Sequence, residues 1–445
     1  MKIKISLLVL LAVLAMQASL RPQSSSRISL FPSASEDIIL AVANVQPIIP
    51  GSAELDGVAS AFNQVLWDDL SFAGFFTLAN RSFYPDKPII RPEVDIDYEA
   101  WSELPFKINF ITTGTINPEK DGRLRIHVSV YDIRQQQQTF NKVYTGTINQ
   151  TRSIAHLWAD EIVYQLTAGA SRGIASTKIA YVSKRGNAKE IYLMDYDGYN
   201  PTPFTKNDSI NLFPNWSSDN SKLAFVSYRP NPEVVIFSTV DGSRIPFPMF
   251  NTLASTPAIS PNGEEIAFAL RTERGNSNIF ISALDGSRRR NLTNSSATET
   301  SPTWSPSGRQ IAYISGDKQG QIYIRDVDGS NLIPIIREGG DSDAVSWSPD
   351  GRWLAFHWKP RRGTNYDIFI ADVATRRINQ VTSGNGSNES PTWSPDSRRL
   401  VFQSDRSGSW QLYATRLDST DIRDVKQLTT QGNNTSPAWG GYVRE

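Results

Sequence analysis

The chain has 445 residues, room for two or three domains with full cores, and its 45 basic side chains balance 45 acidic ones. That balance sets it apart from nucleic-acid binders, which carry a basic excess. Cysteine is absent, which excludes disulfides, thiolate metal sites, cysteine nucleophiles and cysteine-linked lipid anchors, and three histidines (His127, His156, His357) leave little for a zinc site or a serine-hydrolase triad.

The N-terminus reads as an export signal. Lys2 and Lys4 precede the apolar run Ile5 to Leu14, with Ala15 and Ala18 beyond it. The run is too short for a permanent membrane span, and cleavage is expected near Ala18, although Met16 stands where a small residue is preferred. Residues 1–18 are therefore expected to be a signal peptide and the mature chain to be a soluble protein outside the cytoplasm, without direct membrane insertion. Residues 19–36 are polar and serine-rich and are expected to be a flexible segment.

Residues 37–170 do not repeat. Ile38 to Val45 suits a buried strand, and Leu55, Val58, Phe62, Val65, Leu66 and Leu70 follow helical spacing. Strand-like runs follow at 107–116, 123–133 and 139–148, with Gln135 to Gln138 as a solvated hairpin connection. A second amphipathic helix is expected over about 153–167, its apolar face made by Ile154, Leu157, Trp158, Ile162 and Leu166, with Gly169 as its stop. The pattern is a small α/β domain.

From 171 onward the sequence repeats. A Pro-x-Trp phrase precedes an apolar-Ala-aromatic triplet, as in Pro214-Asn-Trp216 with Leu223-Ala-Phe225, and Pro302-Thr-Trp304 with Ile311-Ala-Tyr313. The tryptophan position recurs at 216, 259 (isoleucine), 304, 347, 393 and 439, so its spacings are 43, 45, 43, 46 and 46. Runs such as Asn278-Ile-Phe-Ile281, Asp-Gly hairpin signals and short Leu-Thr strands fill each period. Four short strands in about 45 residues is a β-propeller blade. The triplet first occurs at Ile179-Ala-Tyr181 without a preceding tryptophan phrase, and Trp439 has no triplet after it. The two orphan halves complete one another, which predicts six blades closed by a composite blade spanning both ends of 171–445.

No catalytic constellation emerges. G-x-S-x-G, H-E-x-x-H and Walker loops are missing. His127 and His156 read as ordinary domain residues, and His357 has no nearby partner histidine. Asp195-Tyr-Asp197-Gly198 and Asp326-Val-Asp328-Gly329 read as hairpin turns rather than calcium loops. Arg288-Arg-Arg290 reads as a charged blade edge, and the repeated tryptophans as packing anchors between blades. The acidic residues of the repeats fall in turn phrases, not where a glycosidase would pair them.

Thr177-Lys-Ile-Ala-Tyr-Val-Ser183, followed by Lys189-Glu-Ile-Tyr-Leu-Met-Asp-Tyr-Asp-Gly-Tyr-Asn200, resembles the first blade of the TolB family of the Tol–Pal system. Ala155-His-Leu-Trp-Ala-Asp-Glu-Ile162, Leu166-Thr167 and Gly173-Ile174 resemble the end of that family's N-terminal domain. The likeness covers nearly the whole mature chain. It implies a multidomain α/β plus all-β protein, with a small N-terminal α/β domain (37–170) and a six-bladed β-propeller of WD40-like (PD40) repeats (171–445). It further implies a non-enzymatic, monomeric periplasmic protein that binds the lipoprotein Pal through the propeller and TolA through its mature N-terminus. Such proteins support outer-membrane integrity and constriction at cell division. The positions matching family contacts to Pal are Leu253, Thr256, Thr300 and Ser301, with Leu253 standing where the best-known members have histidine. No cofactor is expected, channel calcium being left open. The alternative is a secreted propeller that binds or cleaves carbohydrate or peptide.

Overall fold

The structure is a computed structural model that describes residues 38–442 except 50, 87–88, 90–94, 230, 337–338, 361–364, 385 and 418–424. The expected signal peptide and the segment 19–36 lie outside the described residues.

The N-terminal domain is a mixed sheet with helices on both faces. Its strands are β1 (Ile39–Val42), β2 (Gln46–Pro47), β3 (Thr77–Leu78), β4 (Phe110–Pro118), β5 (Leu124–Asp132) and β6 (Gln137–Gly146). Their order is β3-β1-β4-β5-β6, with β2 also on β4. β1 runs parallel to β3 and β4, while β4, β5 and β6 form an antiparallel meander. Gln137 and Gln138 already belong to β6, so the hairpin connection is shorter than the sequence suggested. Side-chain alternation along β1 serves two cores: Leu40 and Val42 pack on α1 (Ala53–Ala73) and α3 (Thr151–Leu166), and Ala41 and Ala43 share a cluster with Trp101 of α2 (Tyr98–Ser102).

Helix α1 buries the stripe Leu55, Val58, Phe62, Val65, Leu66 and Leu70. The Ser52 side chain caps its start by accepting the Leu55 N–H, and Gly74, at φ 70°, ends it in the left-handed region. The left-handed backbone favours glycine there, and a Cβ would also displace the Arg416 guanidinium, whose nitrogen lies 2.1 Å from where it would sit.

The repeats form six four-stranded antiparallel sheets. In blade one, Asn433–Trp439 pairs with Lys178–Arg185, and Ala188–Asp195 and Thr202–Pro203 follow outward. Blades two to six are each continuous in sequence, with innermost strands Asn211–Trp216, Ala254–Ile259, Glu299–Trp304, Gly340–Trp347 and Asn388–Trp393. The tryptophans tie neighbouring blades together. Indole N–H groups of Trp216, Trp304 and Trp393 donate to the carbonyls of Ala438, Ala258 and Ser346, each on the preceding blade, at 3.1, 2.9 and 3.1 Å. Trp439 donates to Thr177 Oγ1, and Trp347 to Gly351 in its own blade.

One hydrophobic cluster runs without a break from the first domain into the propeller. It joins Leu40, Phe62 and Trp158 to Tyr181, Met194 and Tyr196 of blade one and to Val401, Leu412 and Leu428 of blade six. Helix α1 carries no basic residue in its last turn. Arg399 of blade six supplies the cation: its buried guanidinium donates to the Phe72 and Ala73 carbonyls and pairs with Asp396. A positive charge at a helix C-terminus is favourable, and its burial is offset by the Asp396 carboxylate, the two carbonyls and the Phe72 ring, although Nε has no partner among the described residues. Beside it, Asp69 of α1 accepts from Tyr196 Oη and lies 2.7 Å from His156 Nδ1 of α3. Burial alone would lower the His156 pKa, but the hydrogen bond and charge of Asp69, with Asp197 and Asp195, outweigh it and hold it above its ordinary value.

Closure of the ring is open to direct test. Deleting residues 435–445 removes most of the innermost strand of blade one and exposes two sheet edges. Thermal unfolding followed by circular dichroism and light scattering should show loss of the cooperative transition and aggregation. A truncated chain that melts like the intact one would show that the blades do not depend on closure.

Candidate functional site

All six innermost strands bulge at the same place, and the bulges ring the mouth of the central channel. In blade four, Thr300 pairs with Ile314 and Thr303 with Ala312, so Ser301 and Pro302 together oppose the single residue Tyr313. The same two-against-one arrangement sets Phe213-Pro214 against Phe225, Thr256-Pro257 against Phe268 and Ala344-Val345 against Phe356. Ser390-Pro391 faces Phe402 and Ser436-Pro437 faces Tyr181. The residue under each bulge is therefore the aromatic of the repeated triplet, and all six are buried. The two sequence phrases meet at one structural device. Proline suits it, because a bulge frees the strand of the hydrogen bond that proline cannot donate.

The first residue of every bulge is left-handed without being glycine. Phe213, Thr256, Ser301, Ala344, Ser390 and Ser436 have φ between 47° and 57°. Such a conformation costs about 1–3 kcal/mol per residue and persists only where the surroundings enforce it. The enforcement is visible across blade boundaries. The Ser301 N–H donates to Thr256 Oγ1 of blade three, the Ser390 N–H to His357 Nδ1 of blade five, and the Ser436 N–H to Gln403 Oε1 of blade six. Three of the six bulges are thus fastened to the blade before them.

Inside the ring lies a cavity of about 580 Å³ lined by residues of all six bulges. Of the positions read from the sequence, Thr256, Thr300 and Ser301 line it, and Leu253 does not; the Leu253 carbonyl instead accepts the Arg271 N–H at the outer end of the strand pair. Thr256, Thr300 and Ser301 also lie inside strands, not in the loops leading to them, because the bulge turns a strand segment toward the channel.

The mouth is chemically lopsided. Its charged lining groups are Asp317, Asp341, Asp343, Glu389 and Lys318, all from blades four to six. The sequence reading left the repeat carboxylates in turns; Asp341, Asp343 and Glu389 instead stand on innermost strands just before the bulges, where the repeats differ from one another. Asp343 accepts from the Ser301 hydroxyl at 2.9 Å, and Asp341 accepts from the Gly320 N–H and Tyr366 Oη. Burial pushes the Glu389 carboxyl up; the Gln403 hydrogen bond pulls it down, and the charges of Asp405 and Asp343 push it up further.

His357 is a buried neutral imidazole at the wall of this cavity. Burial pushes it down to about 4 against the opposing charges of Asp343 and Asp341. Because its Nδ1 accepts from Ser390, its single proton sits on Nε2. The folded-state value lies below the unfolded one of about 6.5, so this group stabilises fully above pH 6.5, and the contribution is lost as pH falls through about 4. Between those limits it changes stability by up to ~1.4 kcal/mol per pH unit. Chemical unfolding of the wild type and His357→Gln across pH 4–7 should show a slope smaller by one proton in the variant. Parallel curves would show that His357 is not held neutral.

The fold and this mouth define the class: a β-propeller joined to a small α/β domain. A family model described as the TolB beta propeller domain matches residues 164–361 and 318–442, and one described as the TolB amino-terminal domain matches 27–139. The chain belongs to the TolB family. It is 29% identical over 265 residues to the Tol-Pal system protein TolB of Bordetella parapertussis and to that of Bordetella pertussis. The matched stretch is 59% of this chain and spans only 58% and 59% of the length of these relatives. The crystal structure of TolB from Acinetobacter baumannii has the same fold, with a TM-score of 0.75 and 24% identity over 92% of this chain and 98% of that one. Among the described residues, no helix is long and apolar enough to cross a membrane.

Proposed function

We propose that the chain is a non-enzymatic, periplasmic interaction component of the Tol–Pal system. It docks the lipoprotein Pal at the channel mouth and TolA through residues 19–36, in support of outer-membrane integrity and constriction during division. The names of the matched relatives supply the system. The observation that carries the docking is the ring of six left-handed bulges, three of them fastened to the preceding blade. It presents small side chains (Thr256, Ser301, Ser390, Ser436) around an open cavity, so a partner's backbone can approach closely. A rim already held in its bound shape loses little freedom on association.

Thr300→Arg or Ser301→Arg places a bulky cation on that rim. The expected outcome is a loss of 2 kcal/mol or more in Pal binding, roughly thirtyfold in affinity, with the melting temperature moving only a few degrees. Ser287→Arg, on the exposed outer edge of blade three, is the control and should bind like the wild type. Titration calorimetry with Pal decides it, equal affinities for all variants removing the mouth from consideration. In the same series, deleting residues 19–36 should abolish TolA binding while sparing Pal binding. Intact TolA binding would move that site elsewhere.

The alternative, a secreted propeller that binds or cleaves carbohydrate or peptide, draws on Glu389, whose raised pKa beside Asp343 suits a general acid. Release of reducing ends or free amines by the purified protein, abolished by Glu389→Gln, would put this reading in place of the first.

A further inference from the structure

We propose that the junction between the two domains binds a divalent cation of the zinc type, held by His156 Nε2 from α3 and by the carboxylates of Asp195 and Asp197 from blade one. An imidazole nitrogen of His156 and one carboxylate oxygen each of Asp195 and Asp197 lie within 4.8 Å of one another. Bonds of about 2.0–2.2 Å to a shared ion require the three atoms to draw together slightly, by side-chain motion of an ångström or less.

Three observations make this more than a group of acids. His156 is 97% buried, at 3% exposure, and its Nε2 has no hydrogen-bond partner among the described residues. The opposite ring nitrogen, Nδ1, is 2.7 Å from Asp69, a carboxylate itself fixed by the Tyr196 hydroxyl. A carboxylate on one imidazole nitrogen holds the tautomer whose other nitrogen presents a lone pair, the usual support behind a metal-binding histidine. The third observation is charge. Asp69, Asp195 and Asp197 contribute three negative charges at the junction, and Arg152, bound to Asp197, and Lys178, bound to Asp195, contribute two positive ones. Among these five groups the acids outnumber the cations by one, which favours a positive charge beside His156.

Lys178 and Arg152 do not block coordination. Each carboxylate has about four lone-pair positions, and Asp195 spends its hydrogen bonds on Lys178 and Asn200, Asp197 on Arg152 and the Tyr199 N–H. One nitrogen and two oxygen donors favour a first-row divalent ion over magnesium or calcium, which prefer all-oxygen shells. Because the ligands come from both domains, the ion would staple α3 to the hairpin of blade one.

The full chain, stripped with EDTA, would be titrated with Zn²⁺ by calorimetry and by NMR of protein labelled with ¹⁵N-histidine. With three histidines in the chain, each imidazole is separately visible. One equivalent of Zn²⁺ should shift His156 Nε2 to a metal-bound position and release a proton. His156→Gln and Asp197→Asn should lose this binding, Asp69→Asn should weaken it 10–100-fold, and His127→Gln should leave it unchanged. The wild-type NMR stands even if a variant fails to fold. A His156 that stays doubly protonated with excess Zn²⁺ at pH 7 would overturn the proposal, as would binding that persists undiminished in Asp197→Asn.

Discussion

The pairing of Asn433–Trp439 with Lys178–Arg185 is the constraint on which the rest of the molecule depends. A propeller blade buries its faces only against its neighbours, so six blades are stable as a ring in a way that an open row of six is not. Closure with a strand from the far end of the repeat region makes the packing cyclic. The left-handed bulges follow from it. Those at Ser301, Ser390 and Ser436 are fastened to the preceding blade, and the last of these bonds, from the Ser436 N–H to Gln403 of blade six, crosses the closure itself. Without the closing pair, the strained rim would have a free end from which to relax.

The first domain is placed by the same seam. Its helices pack on blades one and six, the two that meet at the closure, and Arg399 and Tyr196 enter the domain from opposite sides of that boundary. One hydrophobic cluster covers both. The mouth lies on the bulges of all six innermost strands, whereas the junction draws only on blades one and six, through residues such as Tyr196, Leu412 and Trp439. The mouth and the junction therefore share a ring while using different residues.

Much of this was legible in the sequence, because periodicity reports packing. The recurring tryptophan position gave the blade count, and the two orphan half-phrases gave the composite blade. The helical stripe from Leu55 to Leu70 gave α1. What stayed hidden has physical reasons. Phe213, Thr256, Ser301, Ala344, Ser390 and Ser436 are of four side-chain types, and nothing in their propensities announces a left-handed backbone. The repeated proline after five of them was the available signal, since proline inside a central strand points to a bulge. Asp341, Asp343 and Glu389 escaped notice because they sit where the repeats diverge. His156 read as an ordinary domain residue and Asp195 and Asp197 as a turn, since only tertiary structure brings an N-terminal helix onto a blade-one hairpin. Nor does a pattern of charges disclose a buried arginine such as Arg399 capping a helix from another domain.

The linkage between the domains also determines how the molecule would carry mechanical load. Helix α3 ends at Leu166, and the first propeller strand begins at Lys178, so tension on the first domain enters the ring through the strand that sits directly against the closing one. Load applied there bears on the hydrogen bonds of the closing pair rather than on a distant blade. The shared cluster and the Arg399 contacts form a parallel path across the same boundary and spread the load over blades one and six. The place where the ring is sewn shut is thus also the place where it is gripped.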